Sequence, residues 1–373
     1  MSELMMIAGE VSGDLHAAAV ARAIHALDSS VRITGVGSVR MAESGVELLE
    51  RSEALQVMGF VEALRHVPSH WALLRRLERR LATGTIRPLV LLDYPGFNLR
   101  LAERAHRHQV PVLYYITPQV WAWGAKRLTV MRRVITRAAV ILPFEEALLR
   151  SHGIDATFVG HPLLDHASSL PERAEARTQL GLPLEGPVLA MFPGSRAGEI
   201  ARHLDAFVDT ARRLEARIPG LRVIVSVAPG ITIDPVRCPY PQVASASFTV
   251  LRAATAALCK SGTNTLEAAV AGCPHILAYR AVALSYAIAR RVVKIPYIGL
   301  VNLVAERELS REFVQAAMVP ERMATALLPL LDEGSSAHVQ AVAALTGVRA
   351  ALGTPGASAR VAAMAVALRD TPG

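Results

Sequence analysis

One pattern constrains this chain more than any other: an alternation of short apolar runs, small-residue turns and helix-period segments that is run through twice. The first half carries LMMIAGEVSGDLHAA, VRITGVGS, RPLVLLDYPGFNLR and VPVLYYIT. The second carries VLAMFPGSRAGEI, LRVIVSVAPG and LCKSGTNTLEAAVAGCPHILAYR. Such alternation selects a parallel sheet with crossover helices. Two successive rounds predict an α/β fold of two Rossmann-like, doubly wound domains facing a central cleft. With 373 residues there is chain enough for two cores. The sequence turns polar between Asp165 and Gly186, so the expected domains are 1–165 and 166–345. A C-terminal helix at 346–373 is expected to pack back on the first domain.

Open α/β sheets bind ligands beyond the carboxyl ends of their strands, which makes the turns the places to look. Ser261, Gly262 and Thr263 form a turn ahead of a helix, a geometry that suits phosphate. Glu267 lies one turn in, within reach of a sugar hydroxyl. The alternative is structural, since Asn264 and Glu267 form a capping-box-like pair and Gly272 with Pro274 is an ordinary helix stop. Gly9, Ser12 and Gly13 allow a ligand close to the backbone, with Glu10, Asp14 and His16 beside them. Ser12 or Asp14 also reads as a helix cap. Asp93 ends a strand, where a general base would sit, while Pro95 and Gly96 after it equally signal a plain turn. Arg196 stands just before a helix start.

Composition excludes several classes. Hydrophobic residues make up 52% and charged residues 19%, so the chain is folded and apolar, and aromatics are only 5%. Cys238, Cys259 and Cys273 have no metal-like spacing and fit a reducing cytosol. Glu3 stands where a signal peptide would be basic, and no uncharged run reaches the eighteen or so residues of a membrane span. The net charge of +8 comes almost wholly from arginine, with lysine only at 126, 260 and 294. A basic excess fits nucleic acid, an anionic membrane or phosphorylated substrates. The stretch 57–81 places Val61, Leu64, Val67, Trp71, Leu74, Leu77 and Leu81 on one helical face despite Pro68. Five arginines (65, 75, 76, 79 and 80) crowd it, as in an interfacial helix. An ordinary helix packing on its own sheet has the same pattern.

The motifs AGEVSGDLHAA, VMGFVEAL, DYPGFN, YYITPQVWAW, LPFE, FVGHPLLD, FPGSRAGEI, SGTNTLEAAVAG and LVNLVAERELSREFVQ, in that order from Ile7 to Gln315, resemble the lipid A disaccharide synthases. That resemblance implies an inverting glycosyltransferase of GT-B architecture that works without metal or cofactor. It implies transfer of 2,3-diacylglucosamine from its UDP form to 2,3-diacylglucosamine 1-phosphate (lipid X), giving a β-1,6 tetraacyl disaccharide 1-phosphate and UDP. It also implies a peripheral protein at the inner face of the cytoplasmic membrane, attached through about 57–81.

By the same resemblance, Ser195, Arg196, Ser261, Gly262 and Thr263 would meet the donor diphosphate and Glu267 the ribose. Asn302 and Gln315 would complete the donor side. Ser12, Gly13 and Asn98 would form the acceptor loop. Asp93 would be the base, with Glu10 second to it. Gly96 stands where many relatives carry another acidic residue, which shifts the burden to Asp93. A UDP-N-acetylglucosamine 2-epimerase of the same architecture is the rival reading. No RRM-like module accompanies the arginines, so nucleic acid is not expected as a partner. A homo-oligomer is compatible with the sequence.

Overall fold

The computed structural model describes residues 3–9, 11–52, 60–122, 124, 126–282, 286 and 295–370. They form two compact units: one from Met1–Pro162 with Thr354–Gly373, the other from Leu163–Gly353.

In the first unit the strands are β1 (Glu3–Ala8), β2 (Ile33–Gly37), β3 (Glu47–Arg51), β4 (Ile86–Leu92), β5 (Val112–Tyr115), β6 (Arg137–Val140) and β7 (Ala156–Phe158). They make one parallel sheet in the order β3-β2-β1-β4-β5-β6-β7. Helices α1 (Val11–Leu27), α2 (Val39–Glu43), α3 (Phe60–Leu81), α4 (Pro95–Arg107), α5 (Lys126–Val134) and α6 (Pro143–Ser151) provide the crossovers. Successive side chains of a strand point to opposite faces, and both faces here are covered. Met5 and Ile7 pack with Leu74, Leu77, Phe97 and Met131. Leu4, Met6 and Ala8 pack with Ala17, Val20 and Ile24 on the other side. The unbroken apolar run LMMIA that follows Glu3 in this strand is what two buried faces require.

The expected single face of the arginine-rich helix splits in two. Leu74, Leu77 and Leu81 are core, at most 1% exposed, whereas Trp71 is 42% exposed. Leu73 joins the core instead. The helix runs through Pro68. Positions 57–59 lie outside the described residues, as do the side chains of 60–67.

The second unit opens with a 3₁₀ turn, Pro162–Ser169, which begins one residue before the unit does, and α7 (Arg173–Gln179). It contains β8 (Val188–Phe192), α8 (Ala197–Glu215), β9 (Arg222–Val227), β10 (Gln242–Ala244), α9 (Ser247–Ala253), β11 (Ala256–Lys260), α10 (Asn264–Ala271), β12 (His275–Tyr279), α11 (Leu300–Ala305), β13 (Glu312–Val314), α12 (Pro320–Leu331) and α13 (Ser336–Ala351). Its sheet is also parallel, in the order β10-β9-β8-β11-β12-β13. The polar stretch before β8 is anchored rather than loose. The fully buried Arg177 guanidinium donates to the carbonyls of Pro183, Leu184, Gly186 and Ala253.

Helix α13 is continuous through residue 345, where the sequence suggested a boundary, and ends at Ala351. The chain then returns to the first unit as α14 (Ala357–Asp370). Val361, Ala362 and Ala365 pack into the α1 side of that core. Arg369 reaches Asp28 at 2.9 Å, and the Arg360 guanidinium donates to the Val159 carbonyl at 2.9 Å.

Candidate functional site

Each sheet reverses its winding direction once: between β1 and β4 in the first unit, and between β8 and β11 in the second. Loops that leave neighbouring strands in opposite directions open a crevice at such a point. All the predicted turns that lie directly after these four strands therefore come together in pairs.

In the first unit the loop after β4 is strained and clamped. Asp93 and Tyr94 both take left-handed backbone conformations, with φ of +45° and +46°. Such a conformation costs a residue with a side chain about 1–3 kcal/mol, so it persists only where surroundings enforce it. The Asn98 amide donates to the carbonyls of Leu92 (3.0 Å) and Asp93 (2.7 Å). The Tyr114 hydroxyl donates to the same Asp93 carbonyl at 2.6 Å. Burial first, and then the Asp93 charge, push the Tyr114 phenol well above its ordinary value, which keeps it a donor. From the β1 side, a Cβ added at Gly9 would lie 2.5 Å from the Tyr94 ring. Gly9 thus serves the contact between the two loops. Tyr94 is further joined to α3 through His70, whose Nε2 lies 3.0 Å from the tyrosine hydroxyl.

Several predicted residues are placed differently from expectation. Asn98 is fully buried and works beneath the Asp93 turn; its Oδ1 has no hydrogen-bond partner among the described residues. Asp14 is buried and accepts from the backbone N–H groups of Ser38 (2.6 Å), Arg40 (3.2 Å) and Met41 (3.4 Å), so it fixes the start of α2. Gly13 is buried, and a Cβ there would make only ordinary contact with Ala8. Glu10 and Trp123 lie outside the described residues, as do Arg290, Arg291 and Lys294 and the side chain of Ser12.

In the second unit, Ser195 and Arg196 follow β8, and Arg196 stands at the N-cap position of α8 with its side chain 71% exposed and making no capping bond. Ser261, Gly262 and Thr263 follow the adjacent β11 and lead into α10. Gly262 has a φ of +156°. The Ser261 hydroxyl is committed to the Ile298 carbonyl at 2.9 Å and its backbone N–H to the Ala278 carbonyl at 3.1 Å, which leaves Gly262 and the exposed Thr263 as the open part of the turn. Burial pushes the Glu267 carboxyl upward against a hydrogen bond from Ser247. One of its oxygens, Oε2, has no hydrogen-bond partner among the described residues.

Asn302 is corrected outright. It is fully buried, and its amide is saturated: Nδ2 donates to Ser310 O (2.7 Å) and Glu312 Oε1 (2.8 Å), and Oδ1 accepts from Leu309 N (2.9 Å) and Ser310 N (2.8 Å). It holds the loop ahead of β13 and has no capacity left for a ligand. Gln315 is half-buried in a left-handed turn, with its side chain donating to Ala281 O at 3.3 Å.

Sequence reasoning missed Tyr114, Glu145, Glu199, Lys260 and Glu312. Glu145 is buried, accepts the Trp121 indole N–H at 3.0 Å and closes a capping box with Leu142. Burial, opposed by those hydrogen bonds, pushes its carboxyl up to about 7. Its position three residues into LPFE was a legible signal. Glu199 has the same relation to Arg196. Glu312 accepts from the backbone of Ile298 and Gly299 as well as from Asn302, a convergence that only the folded chain displays.

The family model described as lipid-A-disaccharide synthetase matches residues 4–360. The lipid-A-disaccharide synthase of Anaeromyxobacter sp. (strain K) is 40% identical over 368 residues, 96% of each chain. Among solved structures, a putative UDP-N-acetylglucosamine 2-epimerase from Listeria monocytogenes superposes with a TM-score of 0.66 at 11% identity, covering 99% of this chain and 97% of that one. A transferase from Siraitia grosvenorii in complex with UDP gives 0.61 at 13%, covering 99% and 100%. At such identities the structural likeness speaks for the fold, that of GT-B glycosyltransferases and epimerases. It does not separate transferase from epimerase. The relatives in sequence do, and they do not favour the epimerase.

Proposed function

The chain belongs to the lipid-A-disaccharide synthase family, and from that premise we propose how its two units divide the work of a UDP-sugar glycosyltransferase. The donor is UDP-2,3-diacylglucosamine and the acceptor 2,3-diacylglucosamine 1-phosphate. The Asp93 carboxylate takes the proton of the acceptor 6-hydroxyl, whose oxygen bonds to the anomeric carbon on the face opposite UDP. The bond from that carbon to the diphosphate breaks, UDP leaves with the electron pair, and the configuration inverts. Glu10 is the second candidate for the base.

Charge develops on the departing diphosphate, and preorganised donors in the second unit oppose it. Arg196 and the backbone N–H groups of Gly262 and Thr263 have that role, with Ser195 and Ser261 beside them and Glu267 on the ribose. The observation that carries the reading is the clamped left-handed turn under Asp93. Strain at a strand end, held by buried donors, is what fixing a base against its own backbone preference requires.

Both substrates carry acyl chains, so the first unit is read as meeting the anionic inner face of the cytoplasmic membrane. Exposed Trp71, with the guanidiniums of Arg100 and Arg104 at 5.6 and 5.7 Å from its ring, supports this. Among the described residues no helix is long and apolar enough to cross a membrane. The test is to mix the protein with both substrates and a chelator and to look for UDP and the tetraacyl disaccharide by mass. Absence of the disaccharide refutes the assignment. Asp93→Asn retaining the wild-type rate refutes the base.

A further inference from the structure

The switch point of the second sheet contains a carboxylate where an anion is to bind, and the structure shows what offsets it. Glu199 is the third residue of α8, and its side chain folds back over the loop after β8. Its Oε2 accepts the Ser195 backbone N–H at 3.0 Å, and its Oε1 lies 2.8 Å from Lys260 Nζ at the end of β11. Both partners are largely enclosed, with side chains 13% and 18% exposed. Arg196 stands farther off: its guanidinium is 4.0 Å from Oε1 and 71% exposed.

Local sequence prepares this placement. A Cβ at Gly194 would lie 2.7 Å from Glu199 Cβ and 2.9 Å from its Oε2, so only glycine leaves room for the carboxylate to fold back. The Glu199 carbonyl accepts from His203 Nδ1 at 2.7 Å, and His203 Nε2 accepts the Arg280 backbone N–H beyond β12 at 2.9 Å. Burial, opposed by the bond to the Glu199 carbonyl and aided by the Lys260 and Arg202 charges, holds that imidazole below its ordinary value, consistent with a neutral ring that donates from one nitrogen and accepts at the other. Glu199 and His203 together therefore tie the strand ends of β8, β11 and β12.

We propose that Lys260 is a positioning residue which engages Glu199 and so keeps that carboxylate from capturing Arg196 or repelling the donor diphosphate. The inference rests on the reading that Arg196 meets the diphosphate. A carboxylate with two cations in reach pairs with the nearer, less hydrated one, and the other remains available to substrate. Without Lys260, the same carboxylate would stand unneutralised beside the phosphate-facing loop, and Arg196 at 4.0 Å would be its nearest replacement.

A double-mutant cycle read by UDP binding tests this, because it separates an indirect role from direct contact. Lys260→Met should weaken UDP binding about tenfold, the size of a coupling between neighbouring charges. Adding Glu199→Gln to Lys260→Met removes the charge that Lys260 offsets, and affinity should return to within about threefold of wild type. Lys260→Arg should bind nearly as wild type, and thermal unfolding of each variant checks that it is folded. A double variant as weak as Lys260→Met, or a Lys260→Met that binds normally, overturns the proposal. Arg196→Ala, measured alongside, tells the two levels apart. If it binds UDP as wild type, the donor-side reading itself fails; if it is weak while the cycle shows no rescue, only the Lys260 inference falls.

Discussion

Replacing Asn302 by Ala separates a scaffold from a ligand contact. The residue is fully buried, and truncation removes four hydrogen bonds between 2.7 and 2.9 Å. It strands two backbone N–H groups, one carbonyl and one side of the Glu312 carboxylate. Each buried orphan costs about 1–3 kcal/mol, and water entering the small polar void recovers part of that. Glu312 also keeps its bonds from Ile298 and Gly299. The net loss should be about 3–5 kcal/mol, and for a unit of this size the melting temperature should fall on the order of 10 °C. Asn302→Asp should be no better, since it keeps the acceptor but sets a second carboxylate against Glu312. The assay is urea unfolding of both variants, with UDP titration at a temperature where they remain folded. Stability should drop while the UDP dissociation constant stays within about threefold of wild type. Wild-type stability combined with lost UDP binding would refute the scaffold role and restore Asn302 to the donor site.

Other consequences are equally open to measurement. Tyr114→Phe removes one of two clamps on the Asp93 carbonyl; it should cost about 1 kcal/mol of stability and about tenfold in kcat, with KM for the UDP-sugar unchanged. A rise in KM alone would argue against a positioning role. Burial pushes the Glu145 carboxyl in the folded state up to about 7 from its ordinary 4.5, so the fold favours its protonated form. The stability this one group contributes is therefore complete at low pH and is lost as pH rises from 4.5 through about 7. Glu145→Gln should abolish that component, and a wild-type-minus-variant difference that stays flat from pH 5 to 8 would contradict it. For the membrane reading, Trp71→Ser is the informative change because Leu74 belongs to the core; it should reduce sedimentation with anionic vesicles and leave the melting temperature nearly unchanged. Undiminished sedimentation would count against Trp71 as an anchor.

The turns were legible because their chemistry is local. Glycines at 9, 194 and 262, an arginine before α8 and an aspartate at the end of β4 are all signals carried within a few residues, and each stands at a strand end. Orientation was not legible in the same way. The family resemblance sets Asn302 on the donor side, yet the four hydrogen bonds of its amide go to residues seven to ten positions downstream in a loop that closes around it. Leu74 and Trp71, three apart, share one helical face in the pattern, but the sheet beneath α3 covers one and leaves the other exposed.

Alternation and turn composition by themselves determined two parallel α/β sheets, because burying both faces of a strand demands unbroken apolar runs joined by helices. They could not determine which runs become neighbours. Tertiary structure decided that β4 lies beside β1 and β11 beside β8, and so which distant turns share a crevice. It also decided the residues that hold those turns: Tyr114 and Asn98 under Asp93, and Lys260 against Glu199. Their roles depend on hydrogen bonds and ion pairs between segments 5 to 61 positions apart, and no local periodicity encodes a contact of that kind.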